Sequence, residues 1–251
     1  MSATVYVISA ALVFVLSGVL AMAGLGAAFL FVPLFYYLGV PLAEATPTAL
    51  LLNTVSLLFA TINYWRGGLV NWRVGLPVLI TAVTFSPLGA RLTPSVNRTV
   101  LLALFAAFLV FAGAMMLFYR PKLRQHSLRR RTEVSAGLVV GGTAGFLGGL
   151  LGVGGGNFIL PVLNWLGLEA KVAAGTTALV VIFSSFSGFL GHATMSNLNP
   201  LFLVLTAGMA AGGSVVGSQL MRVKVSNTQL KRIIGVLLWV IAVKMILDLL
   251  T

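Results

Sequence analysis

Apolar residues in this chain fall into ten runs, and polar residues are concentrated in the short stretches between them. A run of about 20 apolar residues is what an α-helix needs to cross a bilayer. The pattern therefore predicts an all-α, polytopic helical membrane protein with five hydrophobic segments in each half. We place these segments at 5–23, 29–38, 44–64, 74–89, 97–119, 133–151, 156–166, 170–192, 199–217 and 226–250.

The two halves of the chain match each other at one constant offset in residue number, the offset that takes Gly24 to Gly152. We call it the repeat offset. One offset that holds over about ninety residues indicates an internal duplication. We expect a first membrane repeat at 1–119, a basic cytoplasmic linker at 120–132 and a second membrane repeat at 133–251. The matching pairs also include Pro33 with Pro161, Thr48 with Thr176, Ser56 with Ser184, and Ser86 with Ser214.

Composition supports a lipid-facing surface. The chain is 59% hydrophobic and 8% charged, with a mean hydropathy of +1.06, whereas soluble domains carry about 25% charged residues. In a soluble protein, the net charge of +12 would suggest nucleic-acid binding. Here six of the basic residues lie in the linker, where they serve to keep a loop in the cytoplasm, so we expect no nucleic-acid partner. With no cysteine, two histidines and four carboxylates, the sequence argues against disulfides, a metal centre or a cofactor.

The basic residues also bear on the orientation of the repeats. If each glycine-broken pair of segments crosses twice, the repeats are inverted, with eleven basic residues inside and only Arg91 and Arg98 outside. If each pair crosses once, the repeats are parallel, and the counts are eight and five. Basic loops are retained in the cytoplasm, so the distribution favours inverted repeats with both termini outside the cytoplasm.

The most informative motif is the glycine run that interrupts the apolar stretch after residue 151. Glycines at four of five positions cannot sustain a helix. A helix restarting at 156–166 would be about 16 Å long, half the hydrocarbon thickness, so the break should lie inside the bilayer. Its first N–H groups would bind an anion without a charged side chain. The candidate substrate-binding residues of this break are Gly152, Gly154, Gly155, Gly156 and Asn157.

A weaker copy of the motif lies in the first half, at Gly24, Gly26, Ala27 and Ala28. Breaks in corresponding segments of two repeats are typical of substrate sites in transporters. Close packing of small residues between helices is an equally good interpretation of the first copy.

Polar residues in the following segments are candidate supporting ligands. Thr48, Asn53, Thr176 and Thr177 could donate to a bound anion, although capping is the commoner role for threonine at a helix start. An intramembrane asparagine such as Asn53 usually faces the bundle interior.

Four further residues are candidates for proton coupling or gating: Glu44, Tyr64, Arg66 and His192. Three of them have a simpler alternative. Glu44 at a helix start suits the helix dipole, Arg66 is explained by its inner loop, and His192 by a hydrogen bond near the interface.

The motif Gly152-x-Gly-Gly-Gly-x-x-x-x-Pro161, followed by Leu166-Gly167-Leu168 and Ala173-Ala-Gly-Thr-Thr177, resembles the TauE/SafE family of sulfite exporters and related anion permeases. The first half departs from the pattern, with Ala27 and Ala28 in place of glycines. The resemblance implies a secondary carrier of sulfite, an organosulfonate or a similar small anion, multi-pass in a bacterial cytoplasmic membrane.

The leading hypothesis is therefore an anion exporter that works by alternating access of two inverted repeats. Its partners would be the small anion and the lipid bilayer, and both a monomer and a homodimer stay open. A non-transporting membrane sensor or assembly subunit is the main alternative. An enzyme is disfavoured, because the sequence contains no Ser-His-Asp set, no carboxylate pair and no phosphate-binding loop with the required lysine.

Overall fold

The computed structural model describes residues 3–21, 26–118, 130–193, 198–220 and 227–250. Within these ranges the chain is all-α, without strands, as predicted. The ten α-helices are α1 (Ala3–Ala21), α2 (Ala28–Tyr37), α3 (Leu42–Arg66), α4 (Trp72–Leu92), α5 (Arg98–Phe118), α6 (Arg130–Leu151), α7 (Gly156–Trp165), α8 (Ala170–Ala193), α9 (Pro200–Leu220) and α10 (Asn227–Leu250), and a 3-10 turn at Thr93–Ser95 follows α4.

Each helix coincides with one predicted segment, and the ends differ by at most three residues. Helix α6 begins at Arg130, so the last three residues of the predicted linker, 130–132, are helical. The rest of the linker lies outside the described residues.

Six of the described helices are long and apolar enough to cross a membrane. The protein is therefore a multi-pass membrane protein. The six candidate spans are Leu42–Arg66, Trp72–Ser95, Arg98–Phe118, Val134–Leu151, Lys171–Ala193 and Pro200–Gly217. Helices α2 and α7, with 10 residues each, extend about 15 Å and reach only about half-way through a hydrocarbon core.

The repeat offset that relates the sequence halves also relates the helices, from α1 with α6 to α5 with α10. The halves make the same contact twice with their roles exchanged. The hydroxyl of Ser86 donates to the carbonyl of Ser184 at 2.8 Å, and the hydroxyl of Ser214 donates to the carbonyl of Ser56. The two hydrogen bonds therefore join residues that are equivalent at the repeat offset.

Equivalent helices α3 and α8 pack against each other and run in opposite directions. Asn53 is hydrogen-bonded to Ser185, whereas Tyr64, farther along α3, lies beside Gly175, earlier in α8. Helices α5 and α10 are related in the same way. The ring nitrogen of Trp239 donates to Val110, earlier in α5, and the later Leu117 lies beside Gly235. These two pairs of equivalent helices are therefore antiparallel.

Glycines in α6 allow a close crossing with α4. A Cβ atom on Gly149 would overlap the carbonyl oxygen of Ser86, and one on Gly145 would lie 2.5 Å from the carbonyl oxygen of Ala82. These glycines serve packing, as small residues do at helix interfaces in membranes. The close crossing brings the end of α6, and the glycine break that follows it, into the centre of the bundle.

Candidate functional site

The second-half break is built from glycines in the left-handed backbone region. Gly152, Gly154 and Gly155 have φ of 73°, 73° and 75°, a conformation that residues with a Cβ atom adopt only at a cost. Helix α7 starts immediately afterwards at Gly156, and no side chain caps it. The glycine run therefore ends one helix and starts another within the same apolar layer.

The start of α7 has backbone donors without an acceptor in the described part of the chain. Among the described residues, none accepts a hydrogen bond from the N–H of Gly155, Gly156 or Asn157. The first N–H groups of any helix lack an acceptor within the helix and carry a partial positive charge. These three residues thus form a cluster of unsatisfied donors in a buried position.

The first-half break has the same shape, but its donors are satisfied. Gly26 has φ +76°, and α2 begins at Ala28. The backbone N–H groups of Ala27 and Ala28 donate to Oδ1 of Asn53, at 2.8 and 3.3 Å. An amide oxygen from α3 therefore occupies the place that an anion would take at the start of α2.

Asn53 joins the two breaks. Its Nδ2 donates to the hydroxyl of Ser185 at 2.9 Å. A Cβ atom on Gly154 would lie 2.6 Å from Asn53 Nδ2 and would overlap Ser185 Oγ, while one on Gly26 would overlap Asn53 Oδ1. Both glycine breaks, which lie in different halves of the sequence, thus meet against a single side chain.

This meeting point lies midway along two long helices. Asn53 is in the middle of the 25-residue α3, about 17 Å from its start. Ser185 lies in the inner part of the 24-residue α8, and the hydroxyl of Ser184 contacts the carbonyl oxygen of Gly154 at 3.3 Å. Helix α2 leads from this meeting point to the start of α3, and α7 leads to the start of α8. Because α3 and α8 are antiparallel, α2 and α7 run towards opposite ends of the bundle.

Three other predicted site atoms are buried and lack a hydrogen-bond partner among the described residues: Thr48 Oγ1, Asn157 Oδ1 and Thr177 Oγ1. Buried polar atoms usually have partners, so the two hydroxyl groups could donate to a bound molecule, whereas the amide oxygen of Asn157 could only accept. Gly152 borders α3 by a different contact, since a Cβ atom there would overlap the methyl group of Thr46.

Thr176 contacts the start of α4 rather than a glycine break. Its hydroxyl accepts from the backbone N–H of Asn71 at 2.9 Å and donates to the carbonyl of Val172 at 2.7 Å. The hydrogen bond to Asn71 connects α8 with the start of α4. Gly24, the remaining predicted binding residue, lies outside the described residues.

The four coupling or gating candidates are spread over the bundle. The carboxylate of Glu44 accepts from the backbone N–H of Asn199 at 3.1 Å, and His192 is buried with Nε2 2.8 Å from the carbonyl oxygen of Gly149. Tyr64 lies beside Gly175, and Arg66 is exposed at the end of α3.

Sequence reasoning missed three residues that border the breaks: Thr46, Ser184 and Ser185. Ser185 is equivalent to Leu57 in the first half, so the repeat gave no signal for it. It lies one helical turn after Val181, the residue equivalent to Asn53, and an antiparallel crossing of α3 and α8 would have predicted the contact.

A narrow, mostly apolar pocket lies between the second break and one end of the bundle. Thr46, at its inner end, borders Gly152. Its volume of about 10 Å³ is room for about one water molecule. It is lined by Val32, Pro33, Tyr36, Leu42, Thr46, Leu101, Leu102, Phe105, Leu150, Leu151 and Met245.

Taken together, six helices that are long and apolar enough to cross a membrane and two half-length helices with broken starts are typical of a polytopic membrane transporter. The model of the family described as sulfite exporter TauE/SafE matches residues 9–245, and the chain belongs to this family. The predicted resemblance is thereby confirmed.

The relatives are also described as membrane transporters, not as enzymes. The chain is 32% identical to the probable membrane transporter protein y4hK of Sinorhizobium fredii, over 80% of this chain and 81% of that protein. It is 27% identical to the probable membrane transporter protein YunE of Bacillus subtilis, over 76% of this chain and 80% of that protein. A 42-residue stretch, 17% of this chain, is 50% identical to the sulfite exporter TauE/SafE family protein 1 of Arabidopsis thaliana, of which it covers 9%. No solved structure matches the chain.

Proposed function

We propose that this transporter exports a small oxyanion, sulfite or an organosulfonate, and that the anion binds at the start of α7. The observation that carries the proposal is the cluster of unsatisfied N–H groups at Gly155, Gly156 and Asn157, in the middle of the bundle. Helix starts bind anions through such groups, and glycine allows an oxygen atom to approach the backbone closely.

Asn53 and Ser185 complete this site from the opposite wall. Nδ2 of Asn53 and the hydroxyl of Ser185 lie against Gly154, so both can donate to an anion seated beside it. The start of α2 has a supporting role, because its N–H groups hold Oδ1 of Asn53 and so orient Nδ2 towards the second break. The residue equivalent to Asn53 is Val181, which cannot cap α7 in return. Of the two broken helix starts, that of α7 is then the one that no side chain of the described residues caps.

Alternating access suits the arrangement of the halves. Equivalent helices run in opposite directions, and two inverted halves around a central site can exchange their conformations to open it to either side. The narrow pocket beside Gly152 would be the closed pathway towards one side, and its lining of leucines would exclude water.

Sulfur oxyanions are proposed as cargo because of the family. Its description names sulfite export, and a relative from Arabidopsis thaliana carries the same family name. A sulfonate has three oxygen atoms on a tetrahedral sulfur, and sulfite has three on a pyramidal sulfur. In both, these oxygen atoms can accept from several N–H donors that converge from one helix start. We place the protein in a bacterial cytoplasmic membrane with the basic linker inside.

Asn53→Asp tests the site. The two N–H groups of the α2 start would hold the new carboxylate in its charged form, and its negative charge would repel the cargo at short range. We expect the uptake of radiolabelled sulfite into proteoliposomes to fall by more than about tenfold. Asn71→Asp is the matched control. Asn71 caps α4 through Oδ1, with Arg73 N at 3.1 Å, and aspartate caps equally well, so its flux should equal that of the unaltered protein.

Undiminished sulfite flux in Asn53→Asp would remove the central site from the proposal. Absence of sulfite and sulfonate flux in the unaltered protein, with a stable complex to another membrane subunit, would instead favour the sensor or assembly role.

A further inference from the structure

An open cavity of about 650 Å³ lies at the end of the bundle where α2 turns into α3. It is separate from the glycine breaks. We call it the Arg98 vestibule. It is lined by Tyr36, Tyr37, Gly39, Val40, Pro41, Leu42, Ala43, Arg98 and Asp248.

Two cations are held against the tyrosine rings of this vestibule. The guanidinium group of Arg98 donates to the hydroxyl of Tyr36 at 2.9 Å and lies 5.7 Å from the centre of its ring. Nζ of Lys244 lies 3.9 Å from the ring centre of Tyr37. The hydroxyl of Tyr37 donates to Asp248 at 3.0 Å. Cation–π contacts hold Arg98, which lines the vestibule, and Lys244, which lies against the ring of the lining residue Tyr37. With one carboxylate, the local net charge is positive.

The vestibule has no counterpart in the other half of the sequence. At the repeat offset, its tyrosines correspond to Asn164 and Trp165, Arg98 to Ser226, Lys244 to Met116, and Asp248 to Arg120. A feature of the duplicated framework alone would be expected in both halves. The cluster is therefore a specialisation of one end of the molecule.

The vestibule also points towards the central site. Tyr36 and Leu42 line both the vestibule and the narrow apolar pocket, whose inner end is Thr46 beside Gly152. A molecule in the vestibule would thus stand at the outer end of a pathway to the second glycine break.

We propose that the Arg98 vestibule is a second anion-binding site, where Arg98 and Lys244 hold an oxyanion at the mouth of the pathway; the proposal rests on the proposed function. The guanidinium group pairs with two oxygen atoms of a sulfonate or sulfite, and the ammonium group adds a point charge. A positively charged cleft with low-dielectric walls raises the local concentration of anions and depends on ionic strength.

The test compares Arg98→Gln and Lys244→Gln with Arg91→Gln, which removes an exposed charge from the end of α4 and from outside the vestibule. Sulfite flux is measured in vesicles of zwitterionic lipid, at low and high ionic strength. At low ionic strength both vestibule variants should raise the apparent KM, by up to about tenfold, and leave the maximal rate unchanged. High ionic strength should raise the KM of the unaltered protein and of Arg91→Gln, and abolish the difference. Equal KM values in all four proteins would overturn the proposal.

A direct binding measurement keeps this outcome separate from the proposed function. Equilibrium binding of radiolabelled sulfite to purified protein should give two sites in the unaltered protein, and one in either Asn53→Asp or Arg98→Gln. Sulfite should bind more weakly at high salt to the site that remains in Asn53→Asp. This site should be absent when Asn53→Asp and Arg98→Gln are combined. If the unaltered protein transports no anion but binds sulfite at this salt-sensitive site, the proposed transport function is wrong and the vestibule proposal is supported. If Asn53→Asp binds no sulfite, the vestibule proposal is wrong. Anionic lipid is then added to learn whether the natural ligand of the vestibule is a lipid head group or a soluble anion. Displacement of sulfite from the vestibule by the lipid would indicate a head group, and retention of sulfite would indicate a soluble anion.

Discussion

A single side chain, Asn53, explains why two distant glycine breaks behave differently. Its Oδ1 satisfies the donors of the α2 start, and its Nδ2 faces the second break. The sequence pointed to Asn53 as a polar residue within an apolar segment. It could not reveal which of the two helix starts the amide would cap, because that depends on how α3 packs against both breaks.

Gly154 offers a residue-scale test of the close approach at the centre. In Gly154→Ala the new Cβ atom would meet Asn53 and Ser185, and the backbone would keep φ near 73° only at a cost of about 1 kcal/mol. We expect the melting temperature to fall and sulfite binding to weaken by about tenfold or more. Gly208→Ala is the control. Nothing lies within 4 Å of a Cβ atom there, so the change should leave binding unaltered and stabilise α9 slightly. Unchanged binding in both variants would contradict the described geometry.

At the scale of elements, the sequence was sufficient to find all ten described helices. Long apolar runs bounded by Gly, Pro or charged residues leave few alternatives, and the repeat offset fixed which helices correspond. Helix contacts were not predictable in the same way. The pairing of α4 with α6 depends on which face of each helix carries its small residues, and apolar composition alone does not distinguish a lipid-facing surface from a helix interface.

Two glycines of α6 provide a test of the close crossing between α4 and α6. Gly149→Ala would force a Cβ atom into the backbone of α4 at Ser86, so we expect a clear fall in melting temperature and reduced flux, because α6 carries the glycine break. Gly142→Ala, in the same helix, meets only the ring of Phe85 at 3.9 Å, an ordinary contact. It should therefore be neutral or stabilising by up to about 1 kcal/mol. Equal effects of the two changes on thermal unfolding would show that the α4–α6 crossing is looser than described.

At the scale of the whole molecule, the orientation of the repeats connects the fold to the transport proposal. The count of basic residues favours inversion, and the antiparallel packing of equivalent helices is the relation that inversion requires. The vestibule adds an end-to-end asymmetry that neither the repeat nor the charge count predicted. Its residues are distant in sequence, and only the packing of α2, α5 and α10 brings them together.

Inversion across the bilayer is directly testable, because the chain contains no cysteine and single cysteines can be introduced without removing others. Pro41 and Glu169 are equivalent at the repeat offset, and both are exposed in the turns before α3 and α8. If the repeats are inverted, a membrane-impermeant maleimide added to intact cells should label Pro41→Cys and leave Glu169→Cys unlabelled until the membrane is permeabilised. Parallel repeats would place both cysteines on one side, and the two variants would then react alike. Labelling of both variants after permeabilisation serves as the internal control, since it demonstrates that each cysteine is accessible from water. The result decides between a pathway with one break approached from each side and a pathway with both breaks on one side, and the former is the arrangement on which the proposed transport cycle is built.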